Sequence, residues 1–359
     1  MEMFFIIFSM LFSFSGFINA ENPCTTPDGK DGMCIPLRKC PALWRNYRIS
    51  TKSQRDFVKK SECKTDGNIH WVCCEPSFKE SDFPEPGECG LQVRERIVGG
   101  VETAPGEYPW LALIKYTHPR YRPRFACGGS LINKNYVLTA AHCVSTSILS
   151  GYSPRSVRLG EHDLNTDPDC TEDDGETQCA PHVVDMEFSE IIIHEEYNPS
   201  SSTQYNDIAL IRLSNSVEFT NFLKPICLPF ESTLRDGNLD DVPFVVAGFG
   251  RTANVWNATS SSIKMKVDID GYNWNECNEL YSQSLRSTQI CVGGIEGKDS
   301  CSGDSGGPLM RYTSLSNRPL IYLNGIVSRG HKVCGKKGYP GIYTRVDKYL
   351  GWIRRHMKP

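Results

Sequence analysis

Three short motifs, far apart along the chain, supply the residue types of a nucleophilic site. The first places a histidine beside a cysteine, the second is Asn-Asp-Ile-Ala-Leu, and the third is Gly-Asp-Ser-Gly-Gly; their reactive residues are His142, Asp207 and Ser305. A serine hydroxyl is a poor nucleophile unless a base lies within hydrogen-bond reach, and an aspartate can fix the tautomer of that base. The motifs therefore predict acyl transfer through Ser305, with His142 as general base and Asp207 as its orienting partner.

On these motifs, residues 97–359 resemble the chymotrypsin-fold, trypsin-like serine proteases. The resemblance implies an all-β fold of two packed antiparallel six-stranded barrels, with a C-terminal helix and the reactive residues in the cleft between the barrels. It implies serine endopeptidase activity without a catalytic cofactor. It also implies that the amides of Gly303 and Ser305 form an oxyanion hole, in which one donor typically contributes about 3 kcal/mol to transition-state stabilisation.

Asp299 stands six residues before Ser305, where the family has the floor of its primary specificity pocket. A carboxylate there implies cleavage after arginine or lysine, because a neutral side chain would leave the substrate cation buried without a partner. The resemblance also assigns Ser328, Gly330 and Gly341 to substrate binding. Arg329 replaces the family's usual aromatic residue, which predicts either a preference for acidic residues upstream of the cut or a solvated arginine without a role.

Residues 97–100, Ile-Val-Gly-Gly, resemble the mature amino terminus of the family. The resemblance implies a zymogen that is activated by cleavage after Arg96. The new ammonium group of Ile97 would then pair with Asp304 and order the oxyanion hole and the specificity pocket. An arginine at the cut implies an upstream trypsin-like activating protease or self-cleavage.

The sixteen cysteines and the apolar start of the chain predict secretion. Residues 1–20 are interpreted as a signal peptide, with a membrane anchor as the alternative. The net charge of −3 does not favour a nucleic-acid partner, and no other stretch is apolar enough to predict a membrane partner. Asn257 begins a glycosylation sequon in a Ser/Thr-rich stretch, which predicts a surface site that is either occupied or empty.

Residues 24–74 contain six cysteines and end in an adjacent pair, which resembles a clip domain. The resemblance implies the pairs Cys24–Cys73, Cys34–Cys63 and Cys40–Cys74, and a place in arthropod haemolymph cascades of the Easter, Grass and prophenoloxidase-activating type. It implies zymogen or cytokine-precursor substrates and a serpin inhibitor, in melanization or Toll signalling. A disulfide-stapled spacer is the alternative to a docking role. Residues 75–96, rich in proline and charge, are interpreted as the linker and activation segment.

The remaining cysteines are paired by the same resemblances. The protease family implies Cys127–Cys143, Cys277–Cys291 and Cys301–Cys334, and leaves Cys89 and Cys227 to tether the light chain. Members of the Easter type imply a pair between Cys170 and Cys179.

Two loops have unusual charge. Residues 161–176 contain eight acidic residues and no lysine or arginine. Related proteases bind Ca²⁺ here, and Glu161, Asp163, Thr166 and Asp169 are the predicted oxygen ligands, with a solvated acidic loop as the alternative. Arg120, Arg122 and Arg124 form a basic loop that either attracts an acidic substrate or cofactor or is merely solvated.

The elements that must position these residues have a β pattern. Short β-branched and apolar runs recur between turn residues, which is typical of a sandwich or barrel. Helical spacing of apolar residues from Val346 to Ile353 predicts the C-terminal helix. The runs predicted as strands are residues 110–114, 136–139, 156–159, 191–193, 208–213, 244–246, 320–327 and 341–346.

A noncatalytic clip-domain homologue that acts as a cofactor or adaptor is the alternative function. Such homologues usually lack the nucleophile, so the intact set of His142, Asp207 and Ser305 favours an active enzyme.

Overall fold

The computed structural model describes most of the chain. The described residues are 23–29, 31–40, 43–44, 51–67, 69–74, 83–92, 101–145, 151–173, 176–235, 237–251, 260–281, 285–313 and 319–358. The predicted signal peptide, the predicted activation residues Arg96 and Ile97, and the predicted glycosylation site Asn257 lie outside them. The chain divides into two compact units, residues 1–77 with 358–359 and residues 78–357. In the described part of the chain, no helix has the length and apolar character needed to cross a bilayer.

The smaller unit contains a four-stranded antiparallel sheet and the helix α1 (Lys52–Lys60). Its strands β1 (Pro23–Thr25), β2 (Asp31–Pro36), β3 (Glu62–Asp66) and β4 (Ile69–Cys74) lie in the order β1-β2-β4-β3. A capping box between Thr51 and Gln54 starts α1, and Val58 is its buried residue. So small a core needs cross-links, and disulfides join Cys24 to Cys73, Cys34 to Cys63 and Cys40 to Cys74, the pairs that the clip resemblance implies.

The larger unit is almost entirely β. Its helices are α2 (Ala141–Val144), α3 (Trp274–Leu280) and α4 (Leu350–His356). Its strands are β5 (Val101–Glu102), β6 (Leu111–Thr117), β7 (Arg124–Asn133), β8 (Tyr136–Thr139), β9 (Ser153–Leu159), β10 (Cys170–Asp173), β11 (Glu176–Cys179), β12 (Val184–Ile193), β13 (Ala209–Leu213), β14 (Pro243–Gly248), β15 (Met265–Asp270), β16 (Gln289–Gly293), β17 (Pro308–Thr313), β18 (Leu320–Arg329) and β19 (Pro340–Arg345).

Six of these strands close into a barrel, in the order β12-β13-β8-β7-β6-β9. All the pairings are antiparallel, and the barrel interior is filled by fully buried apolar side chains such as Leu131, Leu138 and Leu159. A closed sheet has no free edge, so its strand ends are held at defined positions. This rigidity fixes the positions of two catalytic candidates, because His142 follows β8 and Asp207 precedes β13.

The second sheet has seven strands, in the order β16-β19-β18-β17-β14-β15-β5. A bridge between Gly271 and Val292 links the end of β15 back to β16, which closes six strands into a second barrel with β5 added at its side. The predicted pair of six-stranded barrels is therefore confirmed. Among the strands of the larger unit, the sequence pattern did not indicate β5, β7, β10, β11 or β15 to β17.

The predicted C-terminal helix is also confirmed, with one difference. A 3₁₀ turn over Val346–Tyr349 precedes the α-helix Leu350–His356. Their apolar residues pack into the main core of the larger unit, including Trp352 and Ile353. This burial explains the helical spacing that the sequence shows.

Candidate active site

The first barrel places His142 and Asp207 at the same edge. In the pairing of β8 with β13, Thr139 lies opposite Ala209. The strands run in opposite directions, so the residues after Thr139 and those before Ala209 continue past the same end of the barrel. His142 lies there on the short helix α2, and Asp207 lies there in the approach to β13.

His142 and Asp207 are joined by two hydrogen bonds. His142 Nδ1 lies 2.8 Å from Asp207 Oδ2, and the backbone amide of His142 donates to Oδ1 at 2.9 Å. Asp207 is 0% exposed. Burial disfavours the imidazolium, but the charge of Asp207 and its bond to the ring outweigh this, so the pKa of His142 is raised. The pair holds Nδ1 toward the carboxylate and leaves Nε2 as the base.

Three further residues hold the segment Asn206–Asp207, one of them through the Asp207 carboxylate, and sequence reasoning missed these roles. Ser328 Oγ donates to Asp207 Oδ2 at 2.5 Å, and Thr344 Oγ1 donates to the Asp207 carbonyl at 2.8 Å. Tyr349 OH donates to Asn206 Oδ1 at 2.8 Å. Asn206 has a φ of 56°, a region that asparagine tolerates better than most residues. Asn206, directly before Asp207, was the one local signal for this support.

Ser305 lies in the turn before β17, between two glycines with left-handed backbone. Gly303 has a φ of 110° and Gly306 a φ of 76°. A Cβ at Gly306 would lie 2.6 Å from the Gly128 carbonyl oxygen, so only glycine fits. The amide of Gly128 donates to the Ser305 carbonyl at 2.7 Å, which ties the nucleophile turn of the second barrel to β7 of the first.

The structure brings the base close to the nucleophile turn without forming their bond. His142 Nε2 lies 3.6 Å from Cys143 Sγ, and within the described residues it makes no hydrogen bond to Ser305. Bonds of this kind are often long before substrate binds, so the geometry is compatible with general-base catalysis. The described residues likewise offer no acceptor to the amides of Gly303 and Ser305, so both can donate to a developing oxyanion.

Asp299 lies in a half-buried position beside two pocket glycines. Gly335 N donates to Asp299 Oδ2 at 3.0 Å, whereas the buried Oδ1 has no hydrogen-bond partner among the described residues. A Cβ on Gly341 would lie 3.3 Å from Oδ1, and one on Gly330 would lie 3.8 Å from the Gly341 Cα. The two glycines therefore leave space in front of an acceptor that a guanidinium or ammonium group would satisfy.

Binding of a small cation in this pocket is expected to weaken below about pH 6. Burial raises the pKa of Asp299 to about 6, although the amides of Gly335 and Ser300 oppose the rise. Only the carboxylate pairs with a cation, so each pH unit below that pKa should raise the inhibition constant of benzamidine about tenfold. Inhibition constants of the processed protein measured across this range check the prediction, and a constant unchanged by acid would contradict it.

Asp304 is buried immediately before the nucleophile. Its Oδ1 accepts from Gly250 N at 2.8 Å, and its Oδ2 accepts from Cys301 N at 2.9 Å. Burial raises the pKa of Asp304, and these two amides oppose that rise. A cavity of about 180 Å³ is lined by both Asp304 and Asp299.

The disulfides of the larger unit surround this site. Cys127–Cys143 joins β7 to the residue after His142, and Cys301–Cys334 joins the nucleophile segment to the loop that contacts Asp299. The other bonds are Cys89–Cys227, Cys170–Cys179 and Cys277–Cys291. All five join the pairs that the resemblances imply.

Arg329 lies at the end of β18, one residue after Ser328. Its guanidinium carbon is 5.3 Å from the centroid of the Tyr281 ring. Burial lowers the pKa of Arg329. The side chain is thus packed on an aromatic ring beside the cleft, while its preference for acidic residues upstream of the cut stays a prediction.

Predicted calcium ligands in the acidic loop have protein partners in this structure. Asp169 accepts from the amides of His162 and Asp163 and from Thr166 Oγ1, and Glu161 pairs with Arg158 at 3.1 Å. In the described part of the chain, the one close group of three potential metal ligands is Cys127, His142 and Cys143, and its two cysteines are disulfide-bonded. Calcium binding by Glu161, Asp163, Thr166 and Asp169 stays a prediction.

Two family models match the chain. The model described as Trypsin matches residues 97–353, and the model described as Regulatory CLIP domain of proteinases matches residues 24–74. The first range contains His142, Asp207 and Ser305, and the second contains the six cysteines that resemble those of a clip domain.

The chain is similar to curated insect proteins along nearly its whole length. It is 40% identical to Serine protease ea of Drosophila melanogaster, over 92% of this chain and 90% of that protein. It is 39% identical to Spaetzle-processing enzyme of Drosophila melanogaster, over 93% and 91%, and 39% identical to Phenoloxidase-activating factor 3 of Holotrichia diomphalia, over 95% of each. A solved structure, Drosophila Grass clip serine protease of the Toll pathway, aligns with a TM-score of 0.67 and 31% identity, over 94% of this chain and 97% of that one.

Proposed function

This chain belongs to the trypsin family of serine proteases and carries a regulatory clip domain, and from that premise we propose that it is a secreted zymogen. Once cut after Arg96, it cleaves protein substrates after arginine or lysine in an extracellular cascade. The observation that carries the proposal is the buried His142–Asp207 pair at 2.8 Å, beside a nucleophile turn and a pocket with an unpaired Asp299 oxygen.

The residues have separate roles in the proposed reaction. Asp299 binds the substrate cation, which sets the scissile carbonyl against Ser305. His142 Nε2 takes the hydroxyl proton as the serine oxygen attacks, and Asp207 stabilises the resulting imidazolium. The amides of Gly303 and Ser305 donate to the carbonyl oxygen as it gains charge. His142 then gives its proton to the leaving amine, and water hydrolyses the acyl-enzyme by the same steps.

Activation is proposed to depend on Asp304. A cut after Arg96 creates an ammonium group on Ile97, and an ammonium needs a buried carboxylate partner if it enters the protein. Asp304 is such a carboxylate, it lines a cavity of about 180 Å³, and Gly303 and Ser305 are its neighbours in sequence. Pairing of Asp304 with the Ile97 ammonium group would therefore affect both the oxyanion donors and the specificity pocket.

Replacing Arg96 with glutamine is expected to prevent activation by trypsin-like proteases. The unprocessed chain should cleave an arginine-ended amide substrate at least about a hundredfold more slowly than the processed chain, because no Ile97 ammonium group is formed to pair with Asp304 beside the oxyanion donors. Amide hydrolysis before and after trypsin treatment checks this. The control is a chain in which residues 93–96 are replaced by the recognition sequence of a protease with different specificity, which should regain activity with that protease alone.

The same samples test the disulfide tether. The bond between Cys89 and Cys227 links a residue before the cut to one after it. Processed protein should therefore run as one band without reductant and as two bands with it. Activity of the uncut Arg96→Gln chain equal to that of the processed wild-type chain would contradict the zymogen proposal.

The proposed place is an innate-immune cascade, in melanization or in Toll signalling. This rests on the names of similar proteins, which include Melanization protease 1 and Spaetzle-processing enzyme of Drosophila melanogaster. The proposed partners are an upstream trypsin-like protease, a zymogen or cytokine-precursor substrate, and a serpin, all in haemolymph. New amino termini produced in haemolymph by the processed chain test the assignment. Cleavage of neither arginine-ended nor leucine-ended amides after clean processing would instead favour a noncatalytic cofactor.

A further inference from the structure

One stretch of the larger unit is free of acidic residues. From Tyr108 to Gly160 the sequence contains no aspartate or glutamate, although the whole chain has more acidic than basic residues. The same stretch contains seven arginines and lysines, three of them at the tip of the hairpin between β6 and β7. We call Arg120, Arg122 and Arg124 the arginine tip.

Acids from β12 neutralise other cations of this stretch but not the arginine tip. Arg158 pairs with Asp185 at 2.7 Å, and Arg155 pairs with Glu187 at 2.7 Å. Lys115 lies 3.9 Å from Asp185. The three tip arginines are exposed and make no ion pair within the described residues. Their positive charge is therefore available to a partner.

Contacts with aromatic rings, rather than with acidic side chains, hold the arginine tip in place. The Arg124 guanidinium carbon lies 4.1 Å from the centroid of the Tyr152 ring, and Tyr152 OH donates to the Arg122 carbonyl at 3.3 Å. His118 packs against both Tyr121 and Tyr152, with ring centroids 4.6 and 4.9 Å away. His118 Nδ1 also accepts from the amide of Arg120 at 3.0 Å. A positioned tip loses less conformational freedom when it binds than a flexible one.

The strand that carries the tip leads directly to the nucleophile. β7 begins at Arg124, and four residues later Gly128 donates to the Ser305 carbonyl. At 3.3 Å per residue, the Arg124 Cα is about 13 Å from Gly128 along the strand. In the proposed reaction Asp299 binds the residue before the cut, and we assign the residues after it to the side of Ser305 where Gly128 and the Cys127–Cys143 bond lie. About 13 Å of extended peptide corresponds to roughly four residues.

We propose that the arginine tip binds an acidic stretch of the protein substrate, centred roughly three to six residues after the scissile bond. This inference rests on the proposed protease function and names a substrate class for it. Arginine suits the role because its planar guanidinium can form two hydrogen bonds with one carboxylate. Charges at the edge of an interface act mainly on the association rate, so the effect should appear in kcat/KM and weaken with salt.

The test uses two peptides that are identical except for the fourth to sixth residues after the cleaved arginine. One peptide has three glutamates there and the other three glutamines. The processed chain is expected to cleave the glutamate peptide with about fivefold to tenfold higher kcat/KM at low salt, and the ratio should approach one at high salt. Arg122→Glu should reduce the ratio to about one or below it, as should a triple change of the tip to glutamine.

Lys134→Glu is the matched control. Lys134 is exposed and follows β7 at its other end, about 30 Å from Arg124, and its substitution changes the net charge by the same amount. This variant should keep the preference, and every variant should cleave a short arginine amide at the wild-type rate. An unchanged preference in Arg122→Glu and in the triple variant, or an equal loss in Lys134→Glu, would overturn the proposal.

Failure of the protease function itself gives a different result. In that case the short amide is not cleaved. The tip is then tested by measuring the affinity of the Ser305→Ala chain for fluorophore-labelled forms of the two peptides. Tighter binding of the glutamate peptide supports the proposal if the difference disappears when Arg122→Glu is added to Ser305→Ala. Equal affinity for both peptides overturns it.

Discussion

Replacing Asp207 with asparagine is expected to lower kcat for an arginine-ended substrate by about 10⁴ while the fold is retained. Asp207 accepts hydrogen bonds from the His142 amide, His142 Nδ1 and Ser328 Oγ. An asparagine has one oxygen and an NH₂ group, so it cannot accept all three. An NH₂ group facing Nδ1 would favour the tautomer with its proton on Nε2, and that nitrogen could then no longer act as the base.

Steady-state kinetics of the processed variant, with thermal unfolding measured in parallel, check this prediction. The raised pKa of His142 depends on the Asp207 charge, so the lower limb of the pH–rate profile should move to lower pH in the variant. Asp185→Asn is the matched control: it makes the same chemical change in the same barrel, at a carboxylate that binds Arg158, and should leave kcat within about twofold. A fall of less than tenfold for Asp207→Asn would refute the assigned role.

The reactive residues could be predicted because their signals are local. His142, Asp207 and Ser305 each lie in a motif of a few residues, and the order of the motifs is informative without any knowledge of the fold. The residues that support them could not be found in this way. Ser328 reaches Asp207 across 121 residues of sequence and Thr344 across 137, so these contacts depend on the register between barrels.

Two other differences have physical causes that the sequence pattern does not contain. Helix α1 was not predicted, although the capping box of Thr51 and Gln54 was a readable signal for its start. The hydrogen bonds within the acidic loop could not be predicted either. Amides, a hydroxyl and Arg158 donate to the oxygens of Asp169 and Glu161, and the direction of those donors is set by the folded loop.

The change with the largest expected effect on specificity is Asp299→Asn. The buried Asp299 Oδ1 has no partner among the described residues, and a substrate cation would supply one. In the variant the cation would enter a neutral, half-buried pocket, and an unpaired buried charge costs about 3–5 kcal/mol. The expected result is a fall of about 10³ in kcat/KM for arginine-ended and lysine-ended amides.

The hydrolysis rates of a matched set of amides ending in arginine, lysine and leucine measure this effect. Since His142, Asp207 and Ser305 are unchanged, slow cleavage of the leucine amide should be equal in the variant and the parent, or slightly faster in the variant. The pH dependence of benzamidine binding should also disappear, because the variant lacks the Asp299 carboxyl with its pKa of about 6. Asp240→Asn, at a more exposed carboxylate that accepts from Asn273, is the control and should change none of these ratios. Loss of all three activities in Asp299→Asn would mean that Asp299 supports the fold of the site, whereas loss confined to the cationic substrates would identify it as the residue that selects them.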